Sequence, residues 1–202
     1  MPEVPREDRY DLVIRDTVER CFPELLHDLG DLAHLRVKAQ VYQESRMDPN
    51  AHSSVGAAGL MQLMPATDRA IDGDLDGTDV VGNIDNGVRY LADQYRHLGE
   101  IPTHVERWRF ALASYNGGRG YCNAAFELAR QSEGLKRAFE DWVRAGRLPG
   151  LWQTWHYASR FLADPGCIVS GRHPDHRQMR DYVARIEERY QHYLAGACRV
   201  SS

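Results

Sequence analysis

No stretch of the 202-residue sequence approaches 18 consecutive apolar residues, the length at which a helix begins to cross a bilayer. No stable membrane association is therefore expected. The N-terminal segment MPEVPREDRYDLVIRDT is charged and has no apolar core, so it does not read as a secretory leader. An excess of positive charge is also missing. The formal net charge is −4, which argues against a general polyanion binder, and no nucleic-acid partner is expected. Basic residues crowd the segment HPDHRQMRDYVARIEERYQHY, but acids are mixed among them, the pattern of a solvated helix face.

The four cysteines, Cys21, Cys122, Cys167 and Cys198, form no CxxC pair and match no zinc spacing. They read as free thiols, some of them buried, with a Cys21–Cys198 bridge conceivable only after export. HExxH, GxSxG and P-loop patterns are absent. His173 and His176 in HPDH read as exposed loop residues. The loop DGDLDGTDVVG, residues 72–82, lacks the ordered ligands and terminal glutamate of a calcium loop. No metal and no cofactor are expected, which leaves carboxylate chemistry.

What is present is an ordinary globular composition, 43% apolar and 27% charged, in a chain long enough for one domain over residues 1–202. Strand patterns are scarce, so the fold class is all-α with at most a minor β element. Leu12, Val13, Val18 and Phe22 predict a first helix ended near Pro23. Leu32, Leu35, Ala39 and Tyr42 predict a second that leads to Glu44, with Pro49 discouraging continuation. Residues 50–59 read as a loop, and LMQLMPATDRAI as a short helix in two pieces around Pro65. In NIDNGVRYLADQYRHLG the stripe Ile84, Val88, Leu91, Tyr95 and Leu98 predicts a helix with Gly99 at the C′ position. Further helices are expected over about 105–115, 123–145, 151–163 and 178–194.

Glu44 is the candidate acid. It falls at the C-terminal end of a predicted helix, where the macrodipole opposes negative charge, behind an apolar face that favours partial burial. Both would raise its pKa and let it donate a proton at neutral pH. Taken alone, a glutamate ending a surface helix is the better reading. Other segments change the balance. Gly56, Ala57, Ala58 and Gly59 allow backbone to approach a ligand. Gln62, Tyr115, Asn116 and Tyr182 would add amides and phenols, a set suited to the ring faces and N-acetyl groups of a sugar.

Four blocks occur in order: ESRMDPNAHSSVGAAGLMQLMPAT (44–67), NIDNGVRYLADQYRHLG (83–99), ALASYNGGRGY (111–121) and RDYVARI (180–186). With these the chain resembles the soluble lytic transglycosylase family, whose catalytic domain has a goose-type-lysozyme-like α fold. The resemblance spans about residues 35–190, with an elaborated helical segment at 122–176 that it does not cover. It implies that Glu44 is the catalytic acid/base and that Ser45 is structural. Ser53 would approach a substrate N-acetyl group, Gln62 and Met64 would line the cleft, and Tyr115, Asn116 and Tyr182 would complete it. Here Ser114-Tyr115-Asn116-Gly117-Gly118 stands where the family has Ala-Tyr-Asn-Ala-Gly, a change of small residues for small.

The implied reaction is cleavage of the β-1,4 bond between N-acetylmuramic acid and N-acetylglucosamine in peptidoglycan, with formation of a 1,6-anhydro sugar. Two rivals stand beside it. One is a hydrolytic lysozyme on the same scaffold, aided by Asp48 or Asp72. The other is a virion or secretion-apparatus module without activity. Trp152, Trp155 and Tyr157 read as core rather than glycan-stacking residues, and Arg147 and the Arg172–Arg177 region as ordinary surface charge. A monomer acting on periplasmic peptidoglycan is expected, made in the cytoplasm without a leader and released through a holin as a phage endolysin.

Overall fold

The computed structural model describes residues 4–71, 79–132 and 150–200. They are mostly helical: α1 (Asp11–Cys21), α2 (Pro23–Leu29), α3 (His34–Ser45), α4 (Pro65–Ile71), α5 (Val80–Arg96), α6 (His104–Gly117), α7 (Arg119–Gln131), α8 (Trp155–Ala158) and α9 (His176–Val200). Short 3-10 turns occur at Arg6–Asp8, Asp31–Ala33, Leu151–Gln153 and Ser159–Ala163. The β content among the described residues is three isolated bridges, His52 with Ala58, Ala58 with Leu63 and Val169 with Arg172. The all-α expectation with a minor β element holds.

The chain divides into two compact units, Met1–Ala92 with Ala184–Ser202, and Asp93–Val183. In the first unit α3 is buried through seven consecutive residues, Leu35 to Val41. That includes two cations, which explains why its pattern is not cleanly amphipathic. Buried ammonium and guanidinium groups need partners. Lys38 Nζ meets Asp8 and Asp11 at 2.6 and 2.8 Å, and Arg36 meets Glu187 of α9 at 2.8 Å and stacks over Tyr190. The apolar core around them takes Ile14, Val18, Phe22, Leu25, Met47, Leu60, Met61, Ile84, Val88 and Leu91.

The second unit packs α6 on α7 and the turns at 151–163. Phe110 lies edge-on to both Phe126 and Trp155, with ring centroids 4.7 and 5.3 Å apart, and Trp152 lies against Phe126 under the Arg130 guanidinium. Trp152 and Trp155 are thus half-buried packing residues. The expected 151–163 helix is instead two 3-10 turns flanking the four residues of α8.

Other boundaries also differ from expectation. Pro23 stops α1 but opens α2 at its first turn, where a missing N–H costs nothing. Leu32 sits in a 3-10 turn at 39% exposure, before α3 begins. Residues 60–64 are a turn, so only the Pro65 half of LMQLMPATDRAI is helical. All five stripe residues are buried, but α5 carries only four of them: it ends at Arg96, so Leu98 follows in a turn and Gly99 lies three residues beyond the helix. The last helix runs beyond both expected ends. Val80–Gly82 already belong to α5, whose first turn is capped by the Asp79 carboxylate accepting the Gly82 N–H at 3.0 Å. Residues 72–78 and 133–149 lie outside the described residues, and with them the metal reading of the 72–82 loop, Asp72, Arg147 and the end of the 123–145 helix.

All four cysteines are free, with Cys122 and Cys167 buried and Cys198 exposed. Burial pushes the Cys122 thiol up to about 12. Cys21 is half-buried and donates to Asp85, which also pairs with Arg20 at 2.7 Å and Arg89 at 2.5 Å. Burial alone would raise the Asp85 carboxyl, but Arg20, Cys21 and Arg89 together hold it below the usual carboxylate range. A depressed folded-state pKa contributes stability above the unfolded value, about 3.9, and loses it as pH falls through the folded value. Asp85→Asn is expected to lower stability at neutral pH and to flatten the loss of stability below pH ~4, measured by urea unfolding from pH 6 to pH 2.

Candidate active site

Glu44 is the penultimate residue of α3 and is half-buried. The helix is not stopped by Pro49. It stops because Arg46 and Met47 both adopt left-handed backbone, at φ 54° and 59°, a conformation that side chains other than glycine resist. Three contacts hold this reversal. The Arg46 N–H donates to Tyr42 O at 2.9 Å, the Asp48 N–H to Ser45 O at 3.1 Å, and the Met47 side chain is 1% exposed. Ser45 turns its hydroxyl back to Val41 O at 3.2 Å, consistent with a structural role. Asp48 spends its carboxylate on Arg6 at 3.5 Å and on the Asn50 N–H at 3.0 Å.

The glycine- and alanine-rich loop that follows is tied at almost every residue. Ser53 N–H donates to Ala57 O and Ala57 N–H to Ser53 Oγ, each at 2.9 Å. Ala58 and Leu63 exchange both backbone bonds at 3.0 and 3.1 Å. Gln62, at φ 47°, donates Nε2 to Ala51 O and Gly59 O, both at 2.9 Å. Its two amide hydrogens therefore serve the loop, and only Oε1 is open to a ligand N–H. The Ser53 oxygen is likewise a loop acceptor, with its own hydrogen left to donate. Met64 is 43% exposed, whereas Met61 is fully buried.

Asn83 of α5 clamps this loop. Its Oδ1 accepts the Met61 N–H at 2.8 Å and its Nδ2 donates to Ala58 O at 3.2 Å. Two glycines make room for the clamp. A Cβ on Gly59, which has φ 78°, would lie 2.4 Å from Asn83 Nδ2, and one on Gly87 would lie 2.3 Å from Met61 Sδ. Asn86 donates to Asp68 at 2.9 Å and so ties α4 to the same helix. Sequence reasoning missed Asn83, Asn86 and Gly87. They lay in plain view in NIDNG, where two asparagines and a glycine interrupt an otherwise apolar stripe.

Tyr115, Asn116 and Tyr182 belong to the second unit. Tyr115 and Asn116 are half-buried in the last turn of α6, which is capped by Gly118, φ 100°, whose N–H donates to Ser114 O at 2.9 Å. Asn116 Oδ1 is buried with no hydrogen-bond partner. Tyr182 is 5% exposed on α9, one turn beyond Met179, and a Cβ on Gly117 would reach 2.4 Å from Met179 Sδ. The missing methyl at 117 thus lets the end of α6 approach the turn of α9 that carries Tyr182. No group of three His, Cys, Asp or Glu side chains able to hold a metal occurs among the described residues. None of the described helices is long and apolar enough to cross a membrane.

Residues 34–137, a little over half the chain, match the family model described as the transglycosylase SLT domain. The chain belongs to that family. The match covers Glu44, the clamped loop, Tyr115 and Asn116, and carries with it the lysozyme-like fold. Tyr182 lies outside it. Among curated relatives, the membrane-bound lytic murein transglycosylase F of Maricaulis maris is 36% identical over 78% of this chain and 32% of its own length. Those of Alkalilimnicola ehrlichii and Shewanella oneidensis are 42% and 38% identical, over 52% and 63% of this chain and 22% and 26% of theirs. The chain spans a third or less of each of these relatives.

Replacing Asn83 removes two bonds from buried backbone groups, each worth about 1–2 kcal/mol. Asn83→Ala is expected to cost about 2–4 kcal/mol in urea unfolding. Asn83→Asp should be no better, because a carboxylate cannot donate to Ala58 O. A loss below about 0.5 kcal/mol for Asn83→Ala would contradict the clamp.

Proposed function

We propose that the chain cleaves the β-1,4 bond between N-acetylmuramic acid and N-acetylglucosamine in peptidoglycan as a lytic transglycosylase. It would act as a monomer through one catalytic domain, with Glu44 as acid and then base. The observation that carries the reading is a half-buried glutamate set at a left-handed helix stop and followed in the chain by a clamped, ligand-permissive loop, in a chain of the SLT family. The protonated Glu44 gives its proton to the glycosidic oxygen, and the bond from that oxygen to the muramyl C1 breaks. The muramyl 2-acetamido oxygen stabilises the positive charge at C1. Glu44, now a carboxylate, takes the proton of the C6 hydroxyl as O6 bonds to C1. The 1,6-anhydro sugar forms, the acid is regenerated and no water enters. Ordinary glycosidases need a second carboxylate; here the substrate amide replaces it. Gln62 Oε1 and the Ser53 hydroxyl are the atoms left to bind acetamido groups, and the family resemblance assigns Tyr115, Asn116 and Tyr182 to substrate binding. Asp48, bound to Arg6 and Asn50, is a poor second carboxylate for the hydrolytic alternative.

Glutamine keeps the shape of Glu44 but cannot transfer the proton, and general acid–base catalysis contributes about 10²–10⁴-fold. Glu44→Gln should therefore lose at least about a hundredfold in clearing permeabilised Gram-negative cells, with an unchanged thermal melt. Substantial residual clearing would remove Glu44 from the mechanism. Delivery through a phage holin is proposed on the sequence reading alone, since the relatives' names describe membrane-bound enzymes. It predicts that expression inside cells leaves the culture intact until a holin is co-expressed.

A further inference from the structure

The first unit contains a recess that the proposed chemistry does not use. It has a volume of about 340 Å³ and is lined by Tyr42, Gln43, Arg46, Arg185, Glu188, Arg189 and His192. Glu44 is not among the lining residues. Tyr42 lies two residues before it in α3, so the two point about 160° apart around the helix. On α9 the lining residues 185, 188, 189 and 192 follow the i, i+3, i+4, i+7 spacing of one face.

Three guanidiniums and one carboxylate meet here, in a chain whose net charge is −4. The excess is local, not a reflection of basic composition. Arg189 lies over the Tyr42 ring at 3.9 Å and Arg46 lies 4.7 Å from the same ring, so one phenol holds two like charges close together. Arg189 has a distant counter-charge in Glu7 at 3.8 Å. Arg46 and Arg185 have no ion-pair partner among the described residues. Guanidiniums gathered around a recess without matching carboxylates are suited to bidentate capture of an oxyanion. Glu188, on the same face, adds a place for one ammonium.

We propose that this recess binds a short anionic peptide carrying several carboxylates and one ammonium, on the face of α3 away from Glu44. That is the chemistry of the peptide stems on the muramic acid of peptidoglycan, and the proposal rests on the reading of peptidoglycan as substrate. It would let the domain hold peptide-bearing glycan at a point separate from the bond it cleaves.

The test is calorimetric titration of the intact chain with N-acetyl-L-Ala-γ-D-Glu-meso-diaminopimelate, which carries three carboxylates and one ammonium and has no glycosidic bond to cleave. Binding is expected, weakened at least tenfold by Arg185→Glu, clearly by Arg185→Ala, and least by Arg185→Lys. Arg185 is exposed, and a thermal melt of each variant checks that folding is retained. No binding by the unaltered chain would overturn the proposal, as would equal binding by the Ala and Glu variants. Inorganic phosphate binding as tightly, with the same dependence on Arg185, would overturn the peptide assignment by showing a general oxyanion site. Cleavage of glycan strands stripped of peptide, measured in parallel, tests the underlying reading independently of this recess.

Discussion

The hydrogen bonds of one asparagine hold the loop on which the proposed site depends. Asn83 receives the Met61 N–H and donates to Ala58 O. It thereby fixes a segment whose residues, Gly56 to Gly59, have almost no side chains with which to fix themselves. Under the proposed function this loop lets a sugar approach its backbone, and such a loop cannot be anchored by bulk. It is anchored by an amide reaching in from a helix, and the glycines at 59 and 87 exist to let that amide and Met61 fit. Chemical permissiveness and mechanical definition are reconciled by moving the holding group onto α5.

The same logic places the acid. Glu44 sits one residue before the end of α3, and α3 is buried from Leu35 to Val41. Its two buried cations are neutralised by Asp8, Asp11 and Glu187, from segments before and after it in the chain. Breaking such pairs from one side strands a buried charge, which costs far more than the pair contributes. The helix that carries the acid is therefore a poor candidate for local opening. Its end is turned sharply by two left-handed residues instead of fading into a loop.

Much of this was legible in the sequence. The α5 stripe, the helix into Glu44 and the stop at the 114–120 glycines came from periodicity and residue type, and the ordered blocks from the family resemblance. What was not legible has physical reasons. The termination of α3 by Arg46 and Met47 is invisible because neither residue favours positive φ; the stop is held by local backbone bonds and by the burial of Met47. The burial of Lys38 and Arg36 depends on partners as far as 151 residues away. The turn at 60–64 reads as helix because Leu60, Met61, Leu63 and Met64 are good helix formers, and the Asn83 clamp overrides that preference. The 151–163 segment keeps helical spacing but follows the Phe110 and Phe126 rings, and so breaks into short turns.

The account's central claim is that a single carboxylic acid works with the substrate's own amide and hydroxyl, and that water takes no part. Digesting purified peptidoglycan in ¹⁸O-labelled water and weighing the released muropeptides tests this most directly. The account predicts 1,6-anhydro products, lighter by one water than hydrolysis products and free of label. Reducing-end products carrying one ¹⁸O at the muramyl C1 would contradict it and make the chain a hydrolase.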